Sequence, residues 1–330
     1  MAYDNIKIDK SLYTTGKSFT DALESLDPSS NYKNTELEGL DAFERQLKRF
    51  DIKVSGPDSD TVSKFFKTAD SAALFPEFIS RAVRQGMETN SKVDNIVAVT
   101  TNIDSLDYRT IDASSLDNED IDIVTEGNAF PEVTIKVTDK HTKLNKYGTM
   151  LTASYEAIKF QKLDIFSIAL KKLGECIART QFKNVIDEFS EMAVEHVIAS
   201  SNTELTYSDL VSLWSALSPY NMTTLICSKK SVEAILAMPE FRDANAGLDF
   251  HGTGKLVTPF GAEIIVSEYV GDKAIIGLDR NYAIEKVQAS PITTDFDKII
   301  DRQIERATIS TIVGFAPIFS SAMQVLTLAE

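Results

Sequence analysis

A catalytic or metal site in this chain would have to be built from three histidines, two cysteines and one glycine-rich tetrad, and their spacing builds none. His141, His196 and His251 lie in unrelated segments, with no second histidine or cysteine at the short intervals a zinc site needs. Isolated histidines of this kind read as surface or satisfied residues. Gly252-Thr253-Gly254-Lys255 has the residue types of a phosphate loop, but Asp249 stands where that loop has its first glycine, and Leu256 where Ser or Thr would bind magnesium. No G-x-S-x-G elbow occurs, and with 49 Asp and Glu residues no acid-base pair can be singled out. Cys176 and Cys227 fall in apolar helix and strand patterns and read as buried free thiols of a reducing compartment. Asn221-Met222-Thr223 fits a glycosylation sequon, which is uninformative without a signal peptide. The expectation is a chain with no catalytic residues, no cofactor and no metal.

Charge is more informative. The formal net charge is −15, which argues against binding nucleic acid by neutralising phosphates but not against enclosing it, and favours solubility through mutual repulsion. Asp117, Glu119, Asp120, Asp122 and Glu126 make one strongly acidic loop ending at Gly127-Asn128, and the returning segment carries Lys136, Lys140, Lys143 and Lys146. A charge run is commonly a solvated loop. Loop and returning strand of opposite charge also suit a contact with another subunit, so these nine residues are candidates for subunit contact.

The elements that must position them follow from periodicity. At 330 residues, 43% of them hydrophobic, the chain has room for two or three structural units and a sizeable core. No run approaches the roughly 20 apolar residues of a membrane span, and MAYDNIKIDK at the start has no signal-like stretch, so secretion is not expected. Residues 1–35 are polar without sustained period and read as an extended arm. Leu37, Leu40, Phe43, Leu47 and Phe50 mark a short amphipathic helix, residues 61–67 a second, and residues 74–86 a third, with Pro76 near its start and Gly86 at its end. Residues 96–100, 104–111, 133–138 and 143–151 read as strands rich in Val, Ile, Thr and Tyr. The middle of these form a long two-stranded arm, marginal alone in water and needing something to lie against.

Residues 163–195 are the longest run of one period. Leu163, Phe166, Leu170, Leu173, Ile177, Phe182, Val185, Phe189 and Met192 recur at steps of mostly three and four, along one side of a helix about 50 Å long, with Asp164 as N-cap. Such a rod suits an extended subunit whose outlying parts meet other chains, or a long core helix in an ordinary enzyme. Gly174 interrupts it at a cost of about 1 kcal/mol relative to Ala, for which close packing and compliance are the two available reasons. Beyond it, a helix over 207–217, a buried strand over 223–228 and a helix over 229–238 alternate as an α/β unit. Strands over 262–267, 274–278 and 282–287 follow, and residues 299–328 are long β-type sequence.

These segments together resemble the major capsid proteins of tailed double-stranded DNA phages, the family with the Hong Kong 97 capsid fold. Glu126-Gly127-Asn128, Pro131, Lys146-Tyr147-Gly148 and Ser154-Tyr155-Glu156-Ala157 are similar to the end of that family's extended loop and its entry to the spine helix. Residues 163–189 are similar to the spine helix itself. Pro259-Phe260-Gly261, Ile275-Ile276-Gly277-Leu278-Asp279 and Tyr282-Ala283-Ile284 are similar to strands of the axial domain, and Ile304-Glu305-Arg306 through Pro317-Ile318-Phe319 to the closing strands of the peripheral domain. The likeness covers roughly residues 74–330 in order and implies an α+β, Hong Kong 97-like capsid fold. Its parts would be an N-terminal arm with short helices (1–73), the start of the peripheral domain (74–102), an extended β loop (103–151), the spine-helix region (152–202), an α/β axial domain (203–289) and closing strands (290–330). Lys255 then belongs to an axial loop near the capsomer centre, as a further contact candidate, and Gly174 to a spine helix whose curvature changes as such shells expand. Some relatives remove a longer N-terminal segment, and the sequence leaves open whether this chain does.

The resemblance implies a self-assembling shell subunit that forms pentamers and hexamers of an icosahedral head. It implies portal and scaffolding proteins as partners, enclosed double-stranded DNA without sequence-specific contact, no membrane, assembly in the bacterial host cytoplasm and a final place in the virion capsid. An encapsulin-type compartment and an undetected α/β enzyme using residues 242–255 are the alternatives.

Overall fold

A computed structural model describes residues 2–14, 18–89, 91–112, 123–126, 130, 135–192, 197–242, 258 and 260–329. Among the described residues the chain runs α1 (Phe19–Leu26), α2 (Ala42–Arg49), α3 (Ala69–Ala72), α4 (Phe75–Thr89), β1 (Val99–Asn102), β2 (Ile111–Asp112), β3 (Lys136–Val137), β4 (Leu144–Ser154), α5 (Tyr155–Phe160), α6 (Leu163–Met192), β5 (Val197–Ala199), α7 (Tyr207–Ala216), β6 (Thr224–Cys227), α8 (Lys229–Ala237), α9 (Pro239–Arg242), β7 (Glu263–Val266), β8 (Ala274–Leu278), β9 (Ile284–Ile299), β10 (Ile304–Pro317) and β11 (Met323–Thr327). The chain divides into two units. One holds Met1–Asn90, Tyr147–Ala178 and Pro291–Thr311, the other Ser91–Lys146, Arg179–Ser290 and Ile312–Glu330.

In the first unit, α4 and the first half of α6 meet at two glycines. A Cβ on Gly86 would stand 2.0 Å from the carbonyl oxygen of Lys171, and one on Gly174 would stand 2.1 Å from that of Val83. Two helices can approach this closely only where neither presents a side chain, and Leu74, Phe75, Ile79 and Val83 are buried, as are Leu163 and Leu170 of the long helix. Phe75 stacks on Phe166 at 6.1 Å and meets Phe296 of β9 edge-on at 5.7 Å. Gly86 therefore does not end its helix as expected. The helix continues to Thr89, because the glycine answers to packing across the crossing and not to a left-handed cap. Packing is likewise sufficient reason for glycine at 174.

The long helix spans Leu163–Met192, close to the expected 163–195, and Leu163, Leu170, Ile177, Phe182, Val185 and Phe189 of its stripe are buried. Asp164 is not its N-cap. The helix already includes Leu163, and the Asp164 carboxylate accepts from the N–H of Ile165 at 2.7 Å within the first turn, where negative charge still suits the helix end.

Residues 1–35 are also more folded than their polarity suggests. Ser18 caps α1 by accepting from the N–H of Asp21, and Asp41 with Glu44 forms a capping box on α2. Arg45, fully buried, joins the two. Its Nε lies 2.8 Å from Asp27 Oδ2, its Nη1 donates to Ser29 Oγ and to the Leu40 carbonyl, and its guanidinium covers the Tyr32 ring at 4.5 Å. Composition conceals this because the apolar positions are few and the segment is held by hydrogen bonds to one buried charge.

The second unit is built on a five-stranded sheet of order β5-β11-β8-β6-β7. β6 pairs parallel with β7 and antiparallel with β8, and β11 pairs antiparallel with β8 and parallel with β5. All four residues of β6 are buried, as a central strand covered on its faces requires. Helices α7 and α8, with Leu217 at the end of α7, bring Leu210, Leu213, Leu217, Val232 and Ile235 into its core, as the alternation in sequence indicates. A further sheet has the order β1-β9-β10-β4, and β2 pairs with β3 alone. Strands β4, β9 and β10, like α6, contribute residues to both units.

Gly174→Ala and Gly86→Ala should each lower unfolding stability by about 3 kcal/mol, the upper part of the range for overpacking, although alanine is the better helix former by about 1 kcal/mol. Gly271→Ala, with no atom within 4 Å of the added carbon, should be near neutral in the same denaturant titration. Arg45→Met should cost about 3–5 kcal/mol by leaving Asp27 buried without its cation, read as a loss of thermal stability.

Candidate functional site

Within the second unit, residues 103–112 and 135–146 form two arms of a hairpin zipped by backbone hydrogen bonds. The N–H of Thr142 donates to the carbonyl of Tyr108 at 2.8 Å, that of Thr138 to Thr110 at 2.9 Å, and β2 and β3 pair antiparallel with Ile111 opposite Val137. Of the expected 104–111, only Ile111 lies in regular strand, while residues 133 and 134 of the expected 133–138 lie outside the described residues; Tyr108 and Thr110 are also held by their side chains. Their hydroxyls both donate to the buried Glu285 of β9 at 2.8 Å, one to each carboxylate oxygen, and Thr101 of β1 donates to the first of these as well. Burial, and donation to the Glu285 carboxylate, push the Tyr108 hydroxyl above its usual range, which keeps it a donor. Glu285 thus anchors the root of the loop. Its role is not legible in sequence, since nothing in local spacing ties it to a tyrosine 177 residues away.

Beyond the root the hairpin is exposed on both faces. Alternation puts Ile111, Ile135 and Val137 on one face and Lys136 on the other, and all four are exposed. Leu106 is exposed too, as are Ile123 and Phe130, at 96% and 84%. Lys136, Lys140, Lys143 and Lys146 are all exposed, and among the described residues none of them is in an ion pair. Glu126 is exposed, while Asp117, Glu119, Asp120 and Asp122 lie outside the described residues, as does Lys255. The described part of the acidic loop is therefore not brought onto the lysines within one chain.

His141 is the one histidine among the described residues. Its Nδ1 lies 2.5 Å from Asp107 Oδ1 and its Nε2 2.9 Å from Arg109 Nη2. Because arginine can only donate, Nε2 accepts and Nδ1 carries the proton given to Asp107. The three side chains brace the two arms at the surface, in agreement with the reading of an isolated histidine as satisfied by neighbours. Among the described residues no group of three or more His, Cys, Asp or Glu is placed to hold a metal ion, and no helix is long and apolar enough to cross a membrane.

What a surface of this kind offers to a partner is area. Large exposed apolar side chains cluster on the hairpin, and Phe160, Ile165 and Ile168 are exposed where α5 gives way to α6.

The sequence matches the family described as phage capsid protein over residues 137–316, more than half of the chain. No curated protein matches. Among solved structures the fold is similar to the capsid of an empty GTA particle (TM-score 0.57, 16% identity, 73% of this chain and 90% of that one). It is also similar to a chain of Microbacterium phage Oxtober96 (TM-score 0.55, 10% identity, 73% and 91%). A third likeness is to the holo-SrpI encapsulin complex from Synechococcus elongatus PCC 7942 (TM-score 0.50, 12% identity, 72% and 90%). At these identities the structural likeness is one of fold, and that fold is the Hong Kong 97-like capsid fold. Together with the match in sequence, it follows that the chain belongs to the phage capsid protein family and is a structural, major capsid protein.

Proposed function

We propose that the chain forms the pentamers and hexamers of an icosahedral phage head, and that the hairpin over residues 103–151 is the part each copy lays on its neighbour. The observation that carries this reading is the ribbon itself. It is zipped along its arms and anchored at Glu285, yet among the described residues it leaves an apolar face and four lysines without an ion pair in water. A two-stranded ribbon is marginally stable alone. Phosphate would satisfy the lysines but not the apolar face, whereas the surface of another copy, on a chain of net charge −15, satisfies both. In this reading residues 1–73 form the N-terminal region, 74–102, 152–202 and 290–330 the peripheral domain, and 203–289 the axial domain.

Assembly takes place in the bacterial host cytoplasm, with portal and scaffolding proteins as partners, and the shell encloses double-stranded DNA. An acidic wall repels the packed DNA and does not trap it. The acidic residues 117–122 belong to the same proposed contact, and Lys255 to a separate one on an axial loop near the capsomer centre. The encapsulin-type compartment is the second reading, favoured by the fold likeness to one such shell.

Purified protein viewed by negative-stain microscopy should show closed particles with nucleic acid when made during infection; a monomeric or dimeric mass would sink both shell readings, and closed particles lacking nucleic acid would favour the compartment. Removing residues 112–128 should leave a folded subunit that closes no shells. Replacing Lys136, Lys140, Lys143 and Lys146 together with Glu should reduce assembly strongly, seen as loss of the fast-sedimenting species. Exposed ion pairs contribute only about 0–1 kcal/mol each, so single replacements should have little effect and salt should weaken assembly gradually. Glu285→Gln should cost about 1–3 kcal/mol at the loop root, read as faster hydrogen exchange in residues 103–112 with the rest of the subunit folded.

A further inference from the structure

The N-terminal seventy residues lie ahead of the part of the chain that matches the family, residues 137–316, and they are folded onto both helices of the glycine crossing. Their grip on α6 is through backbone. The first N–H of that helix, on Leu163, has no partner within the helix and donates to the Asp60 carbonyl at 2.8 Å. The N–H of Val62 donates to the Gln161 carbonyl at 3.0 Å, and Thr61 bridges Lys162. The grip on α4 is through side chains. Arg81 reaches out of α4 to Asp41 at 2.7 Å and to Thr20 Oγ1 at 2.8 Å, and lies over the Phe43 ring at 4.4 Å. Tyr13 donates to the Ala73 carbonyl and accepts from the N–H of Glu77, while Phe65 packs against Phe75 and Phe78.

The segment is also locked within itself. Ile8 is 1% exposed, Gln46 donates to the Tyr3 carbonyl at 3.0 Å, Arg49 donates to that of Ile6 at 2.8 Å, and the buried Arg45 and Asp27 tie α2 to α1. An arm destined to leave its subunit has no need of a fully buried ion pair, whose partners are costly to separate. Nor would it supply the acceptor for the first turn of the longest helix.

We propose that residues 2–73 are a permanent brace, which holds α4 by its first two turns, up to Arg81, and α6 by its first turn and is carried in every subunit of the finished shell. The brace fixes the two helices on either side of a crossing that has no spare room. This rests on the shell reading only for the words finished shell; the bracing itself is a property of the folded subunit.

Asp27→Asn tests it, because Asp27 touches neither α4 nor α6. Weakening a charge-assisted pair of this kind should speed hydrogen exchange about tenfold in residues 163–178 as well as in residues 19–49. Faster exchange confined to residues 19–49 would overturn the proposal. The intact mass of subunits from mature particles is the second measurement, and it stands if the variant does not fold: residues 2–73 should be present, and their loss from mature shells overturns the idea. Absence of any particle would instead sink the shell reading, with the exchange result still deciding the brace.

Discussion

The backbone contact between α4 and α6 is the constraint from which the rest of the first unit follows. Helix axes normally stand 8–10 Å apart because side chains fill the space between them. At Gly86 and Gly174 there is no such filler, and carbonyl oxygens of each helix occupy the place where the other's Cβ would be. Approach this close multiplies dispersion contacts and admits weak Cα–H to oxygen contacts. It cannot slide by a residue in either direction, because the neighbouring positions carry side chains. The register of α4 on the long helix is set at that point, and with it the placing of Phe75 against Phe166 and Phe296.

A second constraint acts at the root of the hairpin. Burying the Glu285 carboxylate is costly unless its lone pairs are taken, and three hydroxyls from β1 and the first arm of the loop take them. The same hydrogen bonds that compensate the carboxylate fix where the arm leaves the sheet. Further out the backbone still zips, but the apolar side chains find no cover among the described residues of the chain. The hairpin is thus held firmly at its root, while Ile111, Ile135 and Val137 beyond it stay exposed.

Burial of charge in the N-terminal region follows the same logic with the sign reversed. Arg45 has its donors used by Asp27, Ser29 and the Leu40 carbonyl, and α1 and α2 are tied by that demand for partners as well as by the burial of Phe19, Leu23, Phe43 and Leu47. Low hydrophobicity there does not mean low order.

Much of the fold is legible in the amino-acid sequence alone. The step of three and four from Leu163 onward locates the long helix and its buried stripe, because a helix of that length shows its period whatever it packs against. The alternation of helix and strand over residues 207–278 locates the α/β unit for the same reason, and the opposed charges of the hairpin are visible as composition. Contacts between residues far apart in sequence leave no such local mark. Gly86 looks like a helix end and Gly174 like a weak point until each is seen facing the other helix; Glu285 looks like an ordinary strand residue until Tyr108 is beside it; residues 1–35 look unstructured until Arg45 is buried against Asp27. Periodicity and charge are local properties and belong to the sequence. Close approach and the satisfaction of buried polar groups exist only between segments brought together, so the tertiary structure alone decided them.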